Sequence, residues 1–131
     1  VIFGHSLAEA EQAAGPRNNS EVSLEQGCTY VTFATLPDLM FMVEQGVVVR
    51  ADSKAAIANV LGVQVGATLE SVTAAHPEAR LTPHKYDPTG QYLIFPSADG
   101  ASAIVMEAAA GKIAAIRAGL EPAVEYVEGC S

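Results

Sequence analysis

The feature that most constrains this chain is that its second half repeats the pattern of its first half. A single offset places residues 4–7 on residues 66–69 and residues 30–33 on residues 92–95. Further matches, in the same order, join 41–44 to 105–107 and 46–51 to 111–118. Self-similarity of this kind is typical of a duplicated structural unit. We therefore predict one domain over residues 1–131, made of a first repeat with a linker (1–60) and a second repeat (61–131).

Each repeat begins with the signals of a helix start. Ser6 and Thr68 are good N-cap residues, because a hydroxyl group accepts a hydrogen bond from an otherwise unpaired backbone amide. Glu9 completes a capping box with Ser6. Pro16 and Pro77 follow the apolar and alanine-rich stretches and end them. One helix at the start of each repeat follows from these signals.

The segments after each helix are β-like runs separated by tight turns at 44–47 and 110–112, which predicts antiparallel strands. The predicted strands cover 28–34, 38–44 and 47–52 in the first repeat, then 80–86, 91–96, 102–108, 112–118 and 123–128 in the second. Residues 15–27 are predicted to be a polar loop, and residues 54–60 a short helix or linker.

The predicted fold class is α+β, in which two tandem helix-then-antiparallel-strand repeats form a sheet with helices packed on one face. The other face is expected to be open. The last predicted strand, 123–128, has no counterpart in the first repeat. It is a candidate edge strand for a homodimer contact.

Composition excludes two classes of partner. Fifteen acidic and seven basic residues give a net charge of −8, which repels a phosphate backbone, so no nucleic acid is expected. The apolar runs are far shorter than the roughly 20 residues of a membrane-spanning helix, so no membrane span is expected. Because the chain begins at Val1, a leader or lipid anchor removed before this residue stays an open alternative.

The two cysteines, Cys28 and Cys130, are predicted to form a disulfide that ties the end of the chain to its middle. In the chain-entropy model, closing a loop of about 100 residues stabilises by roughly 4.7 kcal/mol at most. Disulfides persist in oxidising compartments, so a periplasmic or secreted location is expected. The alternative is a pair of reduced, buried thiols in a cytosolic protein.

The helix start Gly-x-Ser/Thr-Leu at residues 4–7 and 66–69, each time followed by a meander of strands, resembles two families. These are the β-lactamase inhibitor protein family, in which a concave sheet binds a partner enzyme, and the small outer-membrane lipoprotein modules, which act as assembly scaffolds. The resemblance implies tandem repeats and a sheet that binds another protein. The chain departs from that pattern in having no tryptophan.

Five residues are candidates for a binding surface. Tyr30 and Tyr92 occupy equivalent places in the two repeats, and Tyr86, His84 and Tyr126 lie on other segments of the second. Tyrosine joins an apolar ring to a polar tip and is enriched where protein surfaces meet. If these rings line the open face, they form a recognition patch. If they face the helices, they belong to the core.

Recurring opposite charges predict two cross-strand ion pairs, Glu44 with Arg50 and Glu107 with Arg117. Sheet stabilisation is the commoner role of such pairs, and a contribution to a binding face is the alternative.

Catalytic chemistry has one candidate, the pair His84 and Asp87. A carboxylate beside an imidazole raises its basicity, but no nucleophile stands in a Gly-x-Ser-x-Gly elbow. A strand end and turn at residues 87–90 explains the same residues without chemistry. His5 and His76 suit helix ends better than a metal site, so neither a metal nor a cofactor is expected.

Three functions stay open from the sequence. The first is an extracytoplasmic, non-enzymatic protein-binding module, either an inhibitor or an envelope scaffold, that uses the open sheet face. The second is a small hydrolase-like enzyme that uses His84 and Asp87. The third is a carrier of a small apolar ligand held between the helices and the sheet.

Overall fold

A computed structural model of the chain describes residues 2–18, 27–54, 61–127 and 129–130. These residues form a seven-stranded antiparallel sheet, two α-helices and one 3₁₀ turn, which confirms the predicted α+β class. The elements are α1 Leu7–Ala14, β1 Cys28–Phe33, β2 Leu36–Glu44, β3 Val47–Ser53, α2 Leu69–Ala75, β4 Arg80–Pro83, β5 Gln91–Pro96, β6 Ser102–Ala109, β7 Lys112–Leu120 and the 3₁₀ turn Ala123–Glu125. Neither helix of this part of the chain is long and apolar enough to cross a membrane.

The strands lie in the order β1-β2-β3-β7-β6-β5-β4. Each half of the chain supplies one meander, and the two meanders meet where β3 pairs with β7, from Arg50 opposite Gly119 to Ser53 opposite Ile116. A single continuous sheet results, with β1 and β4 at its edges. The duplication inferred from the sequence stays a prediction.

Both helices begin where the hydroxyl caps predict. Ser6 Oγ accepts a hydrogen bond from the Glu9 amide at 3.2 Å, and Glu9 Oε1 accepts one from the Ser6 amide at 3.0 Å, which is the expected capping box. Thr68 Oγ1 accepts from the Ser71 amide at 3.2 Å. These contacts satisfy amides that a helix start leaves without partners.

Each helix start is bonded to a tight hairpin turn. The Leu7 amide donates to the Gly46 carbonyl at 2.9 Å, and the Leu69 amide donates to the Gly111 carbonyl at 2.9 Å. Both turns place two successive residues at positive φ, Gln45 with Gly46 and Ala110 with Gly111, as a type I′ turn requires. The two halves therefore fix their helices by the same local means.

The core beside the helices contains two clusters. Leu7, Ala10 and Ala14 of α1 pack with apolar residues of β1–β3, and Val72 of α2 packs with Leu93 and other apolar residues of β5–β7. Cross-strand partners share a face of a sheet. Because Ser53 pairs with Ile116 on the same side as Ala51, both clusters lie on one side.

The opposite side, called the second face below, is covered in its centre by the end of the chain. Residues 121–127 and 129–130 form a segment that we name the C-terminal strap. Its Val124 packs with Ile94 and Val105, its Ala123 packs with Met42, and Cys130 forms a disulfide with Cys28 of β1. The disulfide predicted from the sequence is therefore present.

The prediction of a strand over 123–128 is wrong, and so is the prediction that the second face is fully open. The structure has a 3₁₀ turn at Ala123–Glu125, preceded by Pro122, which has no amide hydrogen for a strand ladder. The turn's carbonyl groups bind arginine side chains instead. A homodimer through this segment loses its basis, although β1 and β4 remain edge strands. Glu128 lies outside the described residues, as do 19–26 of the predicted loop and 55–60 of the predicted linker.

β4 is shorter than predicted and ends at Pro83 instead of continuing to residue 86. After Pro83 the backbone amides of Tyr86 and Asp87 turn inward to the His84 ring, so they are not available to a neighbouring strand.

Candidate binding cleft

A cleft of about 520 Å³ lies on the second face, between the strap and strands β2, β3 and β7. Its charged lining residues are Asp38, Arg50, Asp52, Lys54, Glu107 and Arg117, and Tyr30, Met40, Ala115 and Val127 are among the others. The register explains the floor, because Met40 pairs with Asp52 and Asp52 pairs with Arg117 across three neighbouring strands. These three side chains therefore form one row on the second face.

Arg50 connects the sheet to the strap. Its guanidinium binds Asp52 in a bidentate arrangement, with both N···O distances at 2.7 Å. Its Nη1 donates to the carbonyl oxygens of Ala123 at 2.8 Å and Tyr126 at 2.7 Å. Burial alone would lower the pKa of Arg50, but the hydrogen bonds and charge of Asp52 outweigh burial and raise it. Arg50 stays charged while it holds the 3₁₀ turn.

Arg117 holds the same turn from the neighbouring strand. Its Nε donates to the Val124 carbonyl, and its Nη1 donates to a carboxylate oxygen of Glu107. The Arg117 side chain is 5% exposed, and Glu107 supplies the charge that a buried guanidinium needs. The two arginines therefore bind three carbonyl groups of residues 123–126.

Gly119 makes room for this arrangement. It lies opposite Arg50 in the register, and a Cβ atom there would come within 2.5 Å of the Arg50 Cβ and closer still to the Val49 carbonyl oxygen. Only a residue without a side chain lets β7 approach β3 here.

His84 extends the polar network beyond Glu107. Its Nε2 is 3.1 Å from Glu107 Oε1, and its Nδ1 accepts hydrogen bonds from the amides of Tyr86 at 3.1 Å and Asp87 at 3.0 Å. Because Nδ1 accepts, the ring hydrogen is assigned to Nε2, which donates to Glu107. The ring also stacks on Tyr92, with 4.6 Å between centroids. Both ring nitrogens are thus occupied by structural contacts.

The proposed pairing of His84 with the Asp87 carboxylate is not formed. Asp87 Oδ1 instead accepts hydrogen bonds from the Thr89 amide at 2.9 Å and the Thr89 hydroxyl at 2.8 Å. These Thr89 bonds hold the pKa of Asp87 below its usual value. The residues form the turn that was the alternative interpretation.

The five predicted binding residues occupy different surroundings, and Tyr30 is the one among them that lines the described cleft. Its hydroxyl lies against Gly129, and burial raises its pKa. Tyr92 is buried beneath Val124, whereas Tyr86 is 63% exposed and Tyr126 is 38% exposed. His84 is in the network described above. The structure therefore places Tyr30 at the cleft, and it places Tyr92 and His84 beside the Glu107–Arg117 network.

Of the two ion pairs predicted from the sequence, the structure has one. The Glu107–Arg117 pair is confirmed, but the Glu44–Arg50 pair is wrong. A bulge between Met42 and Val43 shifts the register, so that Glu44 lies opposite Val47 and Arg50 binds Asp52. A usable signal was present, since an Arg-x-Asp alternation inside the apolar run 47–53 places both charges on one face.

A continuous antiparallel sheet with helices on one side and a disulfide-bonded strap on the other defines an α+β domain with a polar cleft. No protein-family model matches this sequence, and a comparison with curated proteins gives no match. No group of three or more potential metal ligands is found among the residues that the structure describes.

The fold is similar to two solved structures. One is an extracellular protein containing a SCP domain from Bacillus anthracis, with a TM-score of 0.58, 12% identity, and coverage of 92% of this chain and 44% of that chain. The other is a cysteine-rich secretory protein from Staphylococcus aureus, with a TM-score of 0.52, 10% identity, and coverage of 97% and 47%. The chain spans less than half of each of these proteins, and the likeness concerns the fold. Membership of the β-lactamase inhibitor protein family stays a prediction.

Proposed function

We propose that this chain is an extracytoplasmic, non-enzymatic protein-binding module, periplasmic or secreted, that binds its partner through the cleft on the second face. The observation that carries the proposal is the cleft itself, which joins exposed and partly buried apolar side chains to charged groups that the sheet holds in place. Binding sites typically combine such apolar walls with a few well-positioned polar groups.

The Cys28–Cys130 disulfide supports the location, because such bonds persist in oxidising compartments. The two similar structures are described as extracellular and secretory proteins, which agrees with this location. Within the proposal, the disulfide keeps the strap over the sheet and so maintains the wall of the cleft that Val127 and Gly129 form.

The non-enzymatic part of the proposal is supported by the use of His84. Its two nitrogens are engaged by Glu107 and by two backbone amides, and Asp87 is engaged by Thr89. A general base needs a free nitrogen within reach of its substrate. A hydrolase that uses this pair therefore has no geometric support.

The carrier alternative is less favoured for a different reason. A small apolar ligand between helices and sheet needs an apolar cavity on the helix side. The cleft lies on the other side and has six charged lining residues. Its chemistry suits a polar partner with some apolar surface.

The proposal is tested by affinity capture with matched surface variants. The oxidised chain is immobilised and exposed to proteins secreted by its source organism, and retained proteins are identified by mass spectrometry. Met40, 47% exposed at the cleft, and Leu81, 49% exposed on the edge strand β4, are each replaced by glutamate. The replacements are matched in exposure and in the charge they introduce.

We expect Met40→Glu to weaken binding of a partner at least about tenfold, because a charge is buried against apolar partner surface. Leu81→Glu should bind like the parent. Equal binding by all three proteins, or equal loss with both variants, would place the interaction elsewhere and reject the proposed surface.

A further inference from the structure

Arg117 reaches the cleft with part of its hydrogen-bonding capacity unused. A guanidinium has five N–H donors. In the described part of the chain, Nε binds Val124 and Nη1 binds Glu107, while Nη2 has no acceptor. The side chain is 95% buried, yet Nη2 is not among the buried polar atoms sealed from solvent. Arg117 lines the cleft, so we take the cleft as the space open to these donors.

An acceptor lies beside these donors. Asp52 is the register partner of Arg117 on the adjacent strand, and its side chain is 29% exposed. Each Asp52 oxygen accepts one hydrogen bond from Arg50, and a carboxylate oxygen accommodates two. No ion pair joins Asp52 to Arg117 within the residues described, so donor and acceptor face the cleft as separate groups.

The charge of the lining favours a neutral ligand. Three carboxylates, of Asp38, Asp52 and Glu107, are balanced by the cations of Arg50, Lys54 and Arg117. An anion placed against Arg117 would meet the nearby carboxylates, and a cation placed against Asp52 would meet the arginines. A neutral group that both accepts and donates satisfies the two sides without adding charge.

We propose that the cleft binds an amide group of the polypeptide partner, with the amide oxygen accepting from Arg117 Nη2 and the amide N–H donating to Asp52. This inference rests on the proposed function and names the group that the cleft recognises. The apolar wall of Tyr30, Met40 and Val127 contacts the hydrocarbon next to the amide. The amide comes from an Asn or Gln side chain or from the main chain, and both sources present the same chemistry.

The test is a titration of the oxidised, ¹⁵N-labelled full chain, followed by backbone amide shifts. The probes are the capped peptides acetyl-Ala-Gln-Ala-methylamide and acetyl-Ala-Met-Ala-methylamide, with maltotriose as a probe that has hydroxyl groups and no amide. Stronger binding of the glutamine peptide assigns the side-chain source, and equal binding of the two peptides assigns the main chain. Either result, with shifts centred on Asp52 and Arg117, supports the inference.

Two alanines of β7 provide a matched pair of variants. Ala115 lines the cleft, whereas its neighbour Ala114 is exposed and does not. Ala115→Leu should fill the space and weaken peptide binding at least about tenfold, and Ala114→Leu should leave it unchanged. Neither variant removes a group of the Arg50 or Arg117 network.

Three results would overturn the inference. These are binding of maltotriose without binding of either peptide, peptide shifts that avoid the cleft, and equal peptide binding by both leucine variants. Absence of peptide binding, together with capture of a protein partner that Ala115→Leu abolishes, would overturn the amide assignment and leave the proposed function standing. If the parent chain binds neither the peptides nor any captured protein, the amide assignment and the proposed function are both rejected.

Discussion

At the scale of single residues, the organisation of the second face depends on two buried arginines. Arg50 and Arg117 are 3% and 5% exposed at their side chains, and each combines a carboxylate partner with carbonyl groups of the strap. Buried charges are tolerated when they are paired and their remaining donors find acceptors. These arginines therefore do two things at once, since they fix the strap and place charge at the cleft.

Replacing Arg50 by methionine should destabilise the fold by about 3–5 kcal/mol, because it leaves the Asp52 charge and the strap carbonyls without their partner. The double variant Arg50→Met/Asp52→Leu should recover part of the loss, since it removes the stranded carboxylate as well. Urea unfolding of the parent, the two single variants Arg50→Met and Asp52→Leu, and the double variant gives the coupling free energy between the two side chains. Additive effects of the two changes would show that the pair is not energetically coupled.

Glu121, at the start of the strap, predicts a dependence of stability on pH. A hydrogen bond with Glu125, together with burial and the Glu125 charge, raises the pKa of Glu121 from 4.5 to about 7. A carboxyl whose pKa is raised by folding contributes stability that is complete below pH 4.5 and is lost as pH rises through 7. The melting temperature should therefore fall more steeply between pH 5 and 7.5 in the parent than in Glu121→Gln. Asp87 and Asp99 have pKa values below their usual value of 3.8, so they cost stability as pH falls below 3.8. Their effect therefore lies outside the range of pH 5 to 7.5. Parallel curves for the two proteins would contradict the assignment.

At the scale of elements, the sequence predicts what local chemistry decides. Ser6, Thr68 and the turns at Gly46 and Gly111 act over a few residues, so the helix starts and hairpins follow from their order in the chain. The conformation of the C-terminal strap could not be predicted in this way. Residues 123–128 were predicted to be a strand, but the turn at Ala123–Glu125 is held by Arg117 and by Arg50, which lies far away in sequence.

The candidate cleft was predictable to a similar degree. Tyr30 and the Glu107–Arg117 pair carry visible signals, since each recurs or alternates along a strand. The role of Arg50 was hidden by the bulge at Met42 and Val43, because one extra residue changes which side chains are opposite each other. Strand register depends on pairing between residues far apart in sequence, so the partner of Arg50 could not be predicted from the sequence alone.

The disulfide should control the strap more than the helices. In the variant Cys28→Ser/Cys130→Ser, the strap keeps its arginine contacts but loses its covalent end. We expect the free energy of unfolding to drop by about 2–5 kcal/mol. Hydrogen exchange should rise most at strap amides such as Glu125 and Tyr126, and least at the Leu93 amide in the central strands. Equal acceleration at all sites would mean that the bond stabilises the whole molecule without a local effect.

At the scale of the whole molecule, the two meanders are joined by contacts that cross from one half to the other. β3 of the first half pairs with β7 of the second, Arg50 binds the carbonyls of Ala123 and Tyr126, and Cys28 is bonded to Cys130. A tandem arrangement of independent units would lack such links. The strap in particular belongs to the second half by sequence and covers strands of both halves.

These crossing contacts predict that the oxidised chain unfolds in a single cooperative transition. Loss of either meander would expose the central pair β3 and β7 and release the strap, so a state with one half folded has little to stabilise it. The backbone amides of α1 in the first half and those of α2 in the second half, followed by hydrogen exchange, should report the same midpoint in urea. Two separated midpoints would show that the halves fold independently, and the strap would then be a late addition to two self-sufficient units.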